Sequence, residues 1–325
     1  MSASAPYAPN APNLDFDHAP SWTGPPIHVG VIGGSGLYKL EGLDVITEVN
    51  PMTPWGHASS PITVAKTPAG THVAFLARHG LTHSLSPSSV PSLANIAALK
   101  HLGVRCILAF SAVGSLREEI APKDFVVPSQ IIDRTKGIRR ATFFGEGNQN
   151  GVVAHATFGD PFDEILRPVV EKLTRQALGP DVKVHGRKTL VCMEGPSFST
   201  RAESIMYRAW GGDVINMSTL PEAKLAREAE LSYVLIATST DYDAWRETSA
   251  AVDVSEVIKS FQANVANSQK VLKTILDPLH DLVGDDAEAF KKAQGSMKFS
   301  VMTKPENVPT IAKDSLRFIL PWYPQ

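Results

Sequence analysis

A chain of 325 residues, 43% of them hydrophobic and 20% charged, is long enough to bury one large core or two small ones. A formal net charge of -2 exerts no global pull on nucleic acid or an anionic membrane, so neither is an expected partner; any bound anion needs a local site, which favours a small ligand. Cys106 and Cys192 lie in apolar strand-like runs without a CxxC partner. They read as reduced core thiols, and the expected location is cytoplasmic, with the nucleus left open.

Residues 1–26 are rich in Pro, Ala, Ser and Asn, with neither a basic n-region nor an apolar h-region. They are expected to form a disordered extension and not a signal peptide. Every later apolar run breaks at a charge, Gly or Pro before about 18 residues, so no membrane span is expected. Strand-like runs follow in order: "IHVGVI", "PITVAK", "HVAFLA", "RCILAF", "DFVVPS", "TLVCME", "DVINMS" and "YVLIAT", several of them apolar throughout, as strands buried on both faces are. Between several of them lie helix-like runs. "VPSLANIAALKHLG" spaces Leu93, Ile96, Ala97 and Leu102 helically and stops at Gly103. "RAESIMYRAWGG" follows Thr200, with Glu203 in a capping-box position, and "TLPEAKLAREAE" shows the same pattern with Thr219 and Glu222. A long amphipathic helix is expected over about 255–283. Residues 27–304 therefore read as one α/β domain, with a central mixed, largely buried sheet flanked by helices. Residues 305–325 have little clear periodicity, end in an aromatic, Pro-containing cluster, and read as a tail able to dock on the domain.

In such folds ligands gather at the carboxyl ends of strands, and several strand ends here carry polar residues that a bare core does not need. "IHVGVI" runs into Gly33, Gly34, Ser35 and Gly36, whose amides can approach an anion closely. A tight turn without a ligand fits as well; a dinucleotide fingerprint lacks its third glycine. "FLARHG" delivers Arg78, a fork of donors suited to phosphate, beside His79, which can add a donor or a charge. A surface ion pair is the plainer alternative for Arg78. Zinc at His79 and His83 is disfavoured by Gly80 between them and by the lack of a nearby acid, so no metal is expected. "ILAFSAVG" ends in Ser111 and Ala112, and "DVINMST" in Asn216, Met217 and Ser218 before a helix N-terminus. Together these could hold one tetrahedral anion. "YVLIATSTDYDAW" ends in Asp241 and Asp243, which repel an anion and suit a hydrogen-donating base, or else cap a turn.

The strings "GVIGGSGLY", "ARHG", "SAVGSLREEIAPKDFVVPSQIIDRT", "EGPSFSTRAES", "DVINMSTLPEAKLAREAE" and "ATSTDYDAW", in order from about Ile27 to about Pro305, resemble the trimeric purine nucleoside phosphorylase family. They are most similar to the branch that acts on S-methyl-5'-thioadenosine. The resemblance implies the nucleoside phosphorylase fold, a homotrimer, and phosphorolysis to adenine and 5-methylthioribose 1-phosphate, with inorganic phosphate as co-substrate and no cofactor. It implies a phosphate cradle of Ser35, Arg78, His79, Ser111, Ala112 and Ser218. Met217, with Ile215 and Asn216, would face the nucleoside, Phe198 would pack on the purine, and Asp241 and Asp243 would read adenine, with Asp241 as proton donor. The methylthio group would rest among His83, Val254, Val257 and Ile258, and His155 would serve a neighbouring subunit. Ser35, Ser111 and Ser218 stand where animal members place threonine, keeping the hydroxyl but losing a methyl that limits rotation. An Asp at position 241 argues against a 6-oxopurine phosphorylase. Arg78 with the hydroxyls argues against a hydrolytic nucleosidase, and the intact cradle against a non-catalytic nucleoside- or NAD-binding module.

Overall fold

The computed structural model describes residues 22–34, 37, 41–145, 151–246 and 254–323, without the side chains of residues 254–259 and 261–263. Residues 1–21 of the expected N-terminal extension and Ser35 of the glycine turn lie outside this set. Trp22 is within it, its ring 5.5 Å from that of His72.

In chain order the strands are β1 (Val29–Gly33), β2 (Asp44–Val49), β3 (Ile62–Lys66), β4 (His72–Ala77), β5 (Cys106–Ser115), β6 (Phe125–Val127), β7 (Gln130–Arg134), β8 (Val184–Gly186), β9 (Thr189–Met193), β10 (Val214–Asn216) and β11 (Ser232–Tyr242). The helices are α1 (Ser92–His101), α2 (Leu166–Leu178), α3 (Arg201–Ala209), α4 (Thr219–Glu228), α5 (Val254–Asp281), α6 (Glu288–Ala293) and α7 (Thr310–Ile319). All the strands form one mixed sheet. Its centre is apolar because it is covered twice. Cys106, Leu108 and Phe110 of β5 pack with Val271, Ile275 and Leu279 of α5, while Ile107 and Ala109 turn to the opposite layer with Ile96 of α1 and Leu225 of α4.

The pairing of β5 creates the site. Along one edge β11 runs parallel from Ser232 opposite Cys106 to Tyr242 opposite Ser115. Along the other, β1 pairs only with Cys106–Ala109, and antiparallel β10 takes over only at Gly114 and Ser115. Residues 110–113 therefore have no strand neighbour on that edge, and their backbone groups need other partners.

One expectation changes. The α4 segment is not capped by Thr219 and Glu222: Leu220 keeps an extended conformation (φ -111, ψ 139) because it precedes Pro221, and Thr219 and Glu222 are buried, turned toward other partners. The stretch 305–323 lies against the domain. Ala312, Leu316 and Ile319 bury one face of α7 in the core cluster that α1 shares, and Phe318 stacks on His101 at 4.9 Å. Exposed Ile311 obscures that spacing in the sequence.

Candidate functional site

Arg78 follows β4, its amide donating to Gly33 O of β1 at 3.1 Å. Its guanidinium is buried. Nε and Nη2 donate to Glu222 Oε1 and Oε2 at 2.5 and 3.1 Å, and Nη1 donates at 2.8 Å to Phe110 O, on the open edge of β5. The side chains of Arg78 and Glu222 are 2% and 1% exposed, so the surface-pair alternative is replaced by a buried fork. Tyr233 also donates its hydroxyl to Glu222 Oε2, at 2.9 Å. Gly34 lies beside the fork: a Cβ there would stand 3.5 Å from Arg78 Nη1.

His79 differs from a cationic donor. Nδ1 lies 2.8 Å from Leu85 O, which makes it the protonated nitrogen and leaves Nε2 as an acceptor in the neutral ring. Burial first, then Arg78, push its pKa down to about 4; the Leu85 carbonyl pulls the other way and His83 adds to the fall. The ring of His83 lies 4.5 Å from that of His79.

Two of the three candidate hydroxyls lie together, Ser35 being outside the described residues. Ser111 and Ser218 Oγ are 2.9 Å apart, although 107 residues separate them in the chain. Behind them sits buried Asn216, whose Nδ2 donates to Ser111 Oγ at 2.9 Å and Thr219 Oγ1 at 2.7 Å, with Ser218 Oγ at 3.4 Å. Such bonds occupy lone pairs of the Ser111 and Ser218 hydroxyls and restrict their rotation. Asn216 thus stands behind the hydroxyls, and buried Ile215 forms wall, its Cγ2 against Gly114.

The two acids meet at Gly114. A Cβ on this glycine would lie 3.4 Å from Asp241 Oδ2 and 3.5 Å from Asp243 Cβ, so its bare backbone permits their close approach. A register shift between Ser239 and Asp241 turns the end of β11, and Thr240 Oγ1 donates to Asp241 Oδ1 at 2.6 Å. Burial pushes the Asp241 carboxyl up to about 6, against the Thr240 hydroxyl and with a further push from Asp243. Asp243 is also raised by burial, opposed by the hydroxyls of Ser204 and Ser199, and its buried Oδ2 has no hydrogen-bond partner.

Met217 rests on Gly195, where a Cβ would come within 2.4 Å of its Sδ and where φ is +70°. Phe198, in the loop that follows, is 46% exposed. Val254, Val257 and Ile258 fall on the first turns of α5, with side chains outside the described set. His155 is exposed; its amide donates to Ser300 O at 2.8 Å, and its side chain joins none of the hydrogen bonds above. Among the described residues no group of three His, Cys, Asp or Glu side chains is arranged to hold a metal.

Hydroxyls and a paired arginine at a break in β5, with two acids of raised pKa, Asp243 buried and Asp241 half-buried, are chemically suited to an anion next to a hydrogen-bonding base. Enzymes that join phosphate to a nucleoside need such a pair of subsites. Residues 28–277 match the phosphorylase superfamily, and the chain belongs to it. It is 64% identical over 305 residues to S-methyl-5'-thioadenosine phosphorylase of Mycosarcoma maydis, covering 93% of this chain and 97% of the relative. The enzyme of the same name from Neurospora crassa is 53% identical over 311 residues, covering 95% and 99%. Among solved structures, methylthioadenosine phosphorylase from an antarctic soil metagenomic library superposes with a TM-score of 0.81 at 40% identity, over 91% of this chain and 99% of that one. A Schistosoma mansoni adenosine/methylthioadenosine phosphorylase variant in complex with methylthioadenosine gives 0.78 at 32%, over 85% and 99%.

Sequence reasoning missed Glu222, whose spacing from Thr219 imitates a capping box. It also missed Arg139 and Glu194, which no local pattern singles out.

Proposed function

We propose that the chain catalyses phosphorolysis of S-methyl-5'-thioadenosine to adenine and 5-methylthioribose 1-phosphate. The curated relatives and the liganded structural neighbour support the substrate, and the placement of Asp241 supports the chemistry. Phosphate is the nucleophile, held by Arg78, the hydroxyls of Ser35, Ser111 and Ser218, and the Ala112 backbone. Neutral His79 accepts a hydrogen bond at Nε2 from the remaining P–OH, without taking its proton. As the C1'–N9 bond opens through an oxocarbenium-like state, a phosphate oxygen bonds to C1' and the electron pair passes into the purine. Asp241, protonated, transfers its proton to N7, and the proton released from phosphate restores the carboxyl through solvent. Asp243 accepts from the 6-amino group with its unpartnered Oδ2. Met217 covers the ribose, Phe198 packs on the purine, and His83 with Val254, Val257 and Ile258 receives the methylthio group.

The active unit we propose is a homotrimer in which His155 serves a neighbour. Val153, Phe299 and Met302 are all exposed near His155, linked by the Ala154–Val301 bridge, and an apolar group of this kind suits a subunit contact.

Chromatography of S-methyl-5'-thioadenosine incubated with the protein, with and without phosphate, tests the reading. Adenine and a sugar phosphate are expected only with phosphate. Free methylthioribose without it would make the protein a hydrolase, and unchanged nucleoside would leave a binding module.

A further inference from the structure

Arg139 lies outside the cradle and touches none of the residues that would hold phosphate by their side chains, yet its side chain is only 5% exposed. An arginine has five N–H donors, and each has an acceptor here. Nε donates to Glu194 Oε2 at 2.9 Å. Nη1 donates to Met217 O at 2.5 Å and Leu220 O at 2.8 Å, and Nη2 to Glu194 O at 2.6 Å and Met193 O at 3.4 Å. Four of these five acceptors are carbonyls at or beyond the ends of the parallel strands β9 and β10: Met193 is the last residue of β9 and pairs with Arg134 of β7, while Glu194, Met217 and Leu220 lie past the paired residues.

We infer that Arg139 is a positioning residue for the nucleoside half of the site. It grips Met217 and Leu220, on either side of Ser218 and Thr219, so the turn that carries Met217 is pinned at both ends. With the same plane it grips Met193 and Glu194, at the root of the loop that leads through Gly195 to Phe198. The two loops touch where Met217 lies on Gly195, with no room for a Cβ between them. Their spacing therefore decides the gap between the group proposed to cover ribose and the ring proposed to meet the purine. Glu194 extends the brace to a third loop, since its Oε1 accepts from Ser88 Oγ at 2.6 Å, nine residues beyond His79. With every donor engaged, the guanidinium has none to offer a ligand, so Arg139 acts through these loops and not on the reacting atoms. The phosphate arginine is braced separately, by Glu222 and Phe110.

This inference rests on the reading of the site as a nucleoside phosphorylase, and its signature is a split between the two substrates. Arg139→Lys has one ammonium in place of a planar fork and cannot span the same acceptors. Arg139→Lys and Arg139→Ala are each expected to raise KM for S-methyl-5'-thioadenosine and to lower kcat/KM about 10²-fold, the scale of an ångström of misplacement. KM for phosphate should move less than about threefold, since only Ser218 of the cradle is near the brace. Guanidinium ion should restore part of the loss in Arg139→Ala and none in wild type. Glu194→Gln, which keeps the backbone acceptors, provides a milder second variant if the first two fold poorly; it should raise nucleoside KM several-fold with normal phosphate KM. Unchanged nucleoside KM in folded variants, or equal rises in both KM values, would overturn the role. Failure of the wild-type protein to cleave the nucleoside in the same assay would instead strike the reading of the site.

Discussion

At Asp241 the proposed chemistry needs a proton that an ordinary aspartic acid, with a pKa near 3.9, does not hold at neutral pH. Burial lifts the carboxyl to about 6, so in the free enzyme the acid form falls away as pH rises through about 6, and kcat/KM should decline on that limb. Phosphate brings negative charge nearby and raises the pKa further, so the limb in kcat should lie at higher pH than the limb in kcat/KM. Stability follows the same sign. The folded value exceeds the unfolded one, so this group's contribution is complete below about pH 3.8 and is lost as pH rises through about 6. Asp241→Asn should remove both dependences, lower kcat on S-methyl-5'-thioadenosine about 10² to 10⁴-fold, and gain relative activity on inosine-type nucleosides, because its amide can donate to a 6-oxo group. Paired kcat/KM values across pH decide the matter; a variant with wild-type rate and preference would place the proton elsewhere. Glu222 poses a different question, because Arg78 is buried with it as its countercharge. Glu222→Gln leaves the guanidinium without that charge, at a cost of about 3–5 kcal/mol, read as a fall in Tm. If Arg78 faces phosphate, the dianion takes over as countercharge, and added phosphate should raise Tm more in the variant than in wild type. Equal phosphate shifts would move the anion away from Arg78.

At the level of elements, what could be read from the sequence followed burial and local chemistry. β1, β4, β5, β10 and β11 are legible because a strand covered on both faces has to be apolar almost throughout. β2 is an exposed edge strand, with Val45 and Ile46 facing out, and β8 has only three residues, so neither offers a pattern. The helix starts divide in the same way. Thr200 does cap α3: Glu203 N donates to its Oγ1 at 3.2 Å, and its own amide donates to Glu203 Oε2 at 2.8 Å. At Thr219 the same spacing fails because Pro221 forces Leu220 out of the helix and tertiary partners claim both side chains. Among site residues, Arg78, Ser111 and Ser218 could be found because strand ends are where such folds gather polar groups. The supports were less legible: Asn216 stood out at its strand end but not as a support of Ser111 and Thr219, and Glu222 and Arg139 act through contacts that only the folded chain brings together. The cap on α3 is testable by itself. Thr200→Ala should cost about 1 kcal/mol, measured as a lower denaturation midpoint with unchanged m, and Thr200→Ser should restore it. A neutral Thr200→Ala would mean that the neighbouring strands, and not the cap, hold α3.

For the whole molecule, the C-terminal stretch has an inner and an outer face, and the two do different work. Inward, Glu230 binds the end of the fold together, accepting from the amides of Gly295 and Met297, both at 2.9 Å, and from Trp322 Nε1 at 3.0 Å. Outward, Phe299 is 97% exposed, a position that an aromatic ring of its size rarely occupies unless something covers it. Its neighbours bind directly to the segment that holds His155: Met302 N donates to Val153 O at 2.8 Å, and Val153 N to Thr303 Oγ1 at 2.8 Å. A subunit seated on this face would bury Phe299, Met302 and Val153 together and bring His155 against the partner. Phe299→Asp places a charge where the contact would be dry, leaves Glu230 and the inner face intact, and should therefore dissociate the assembly without unfolding the subunit. Sedimentation should show wild type as a trimer and the variant as a smaller species with an unchanged far-UV spectrum. Its specific activity should fall on dilution and recover at high protein concentration, because the residue lent by the neighbour returns with the neighbour. A Phe299→Asp monomer with full activity at every concentration would show that each site is complete within one chain and that His155 serves none but its own.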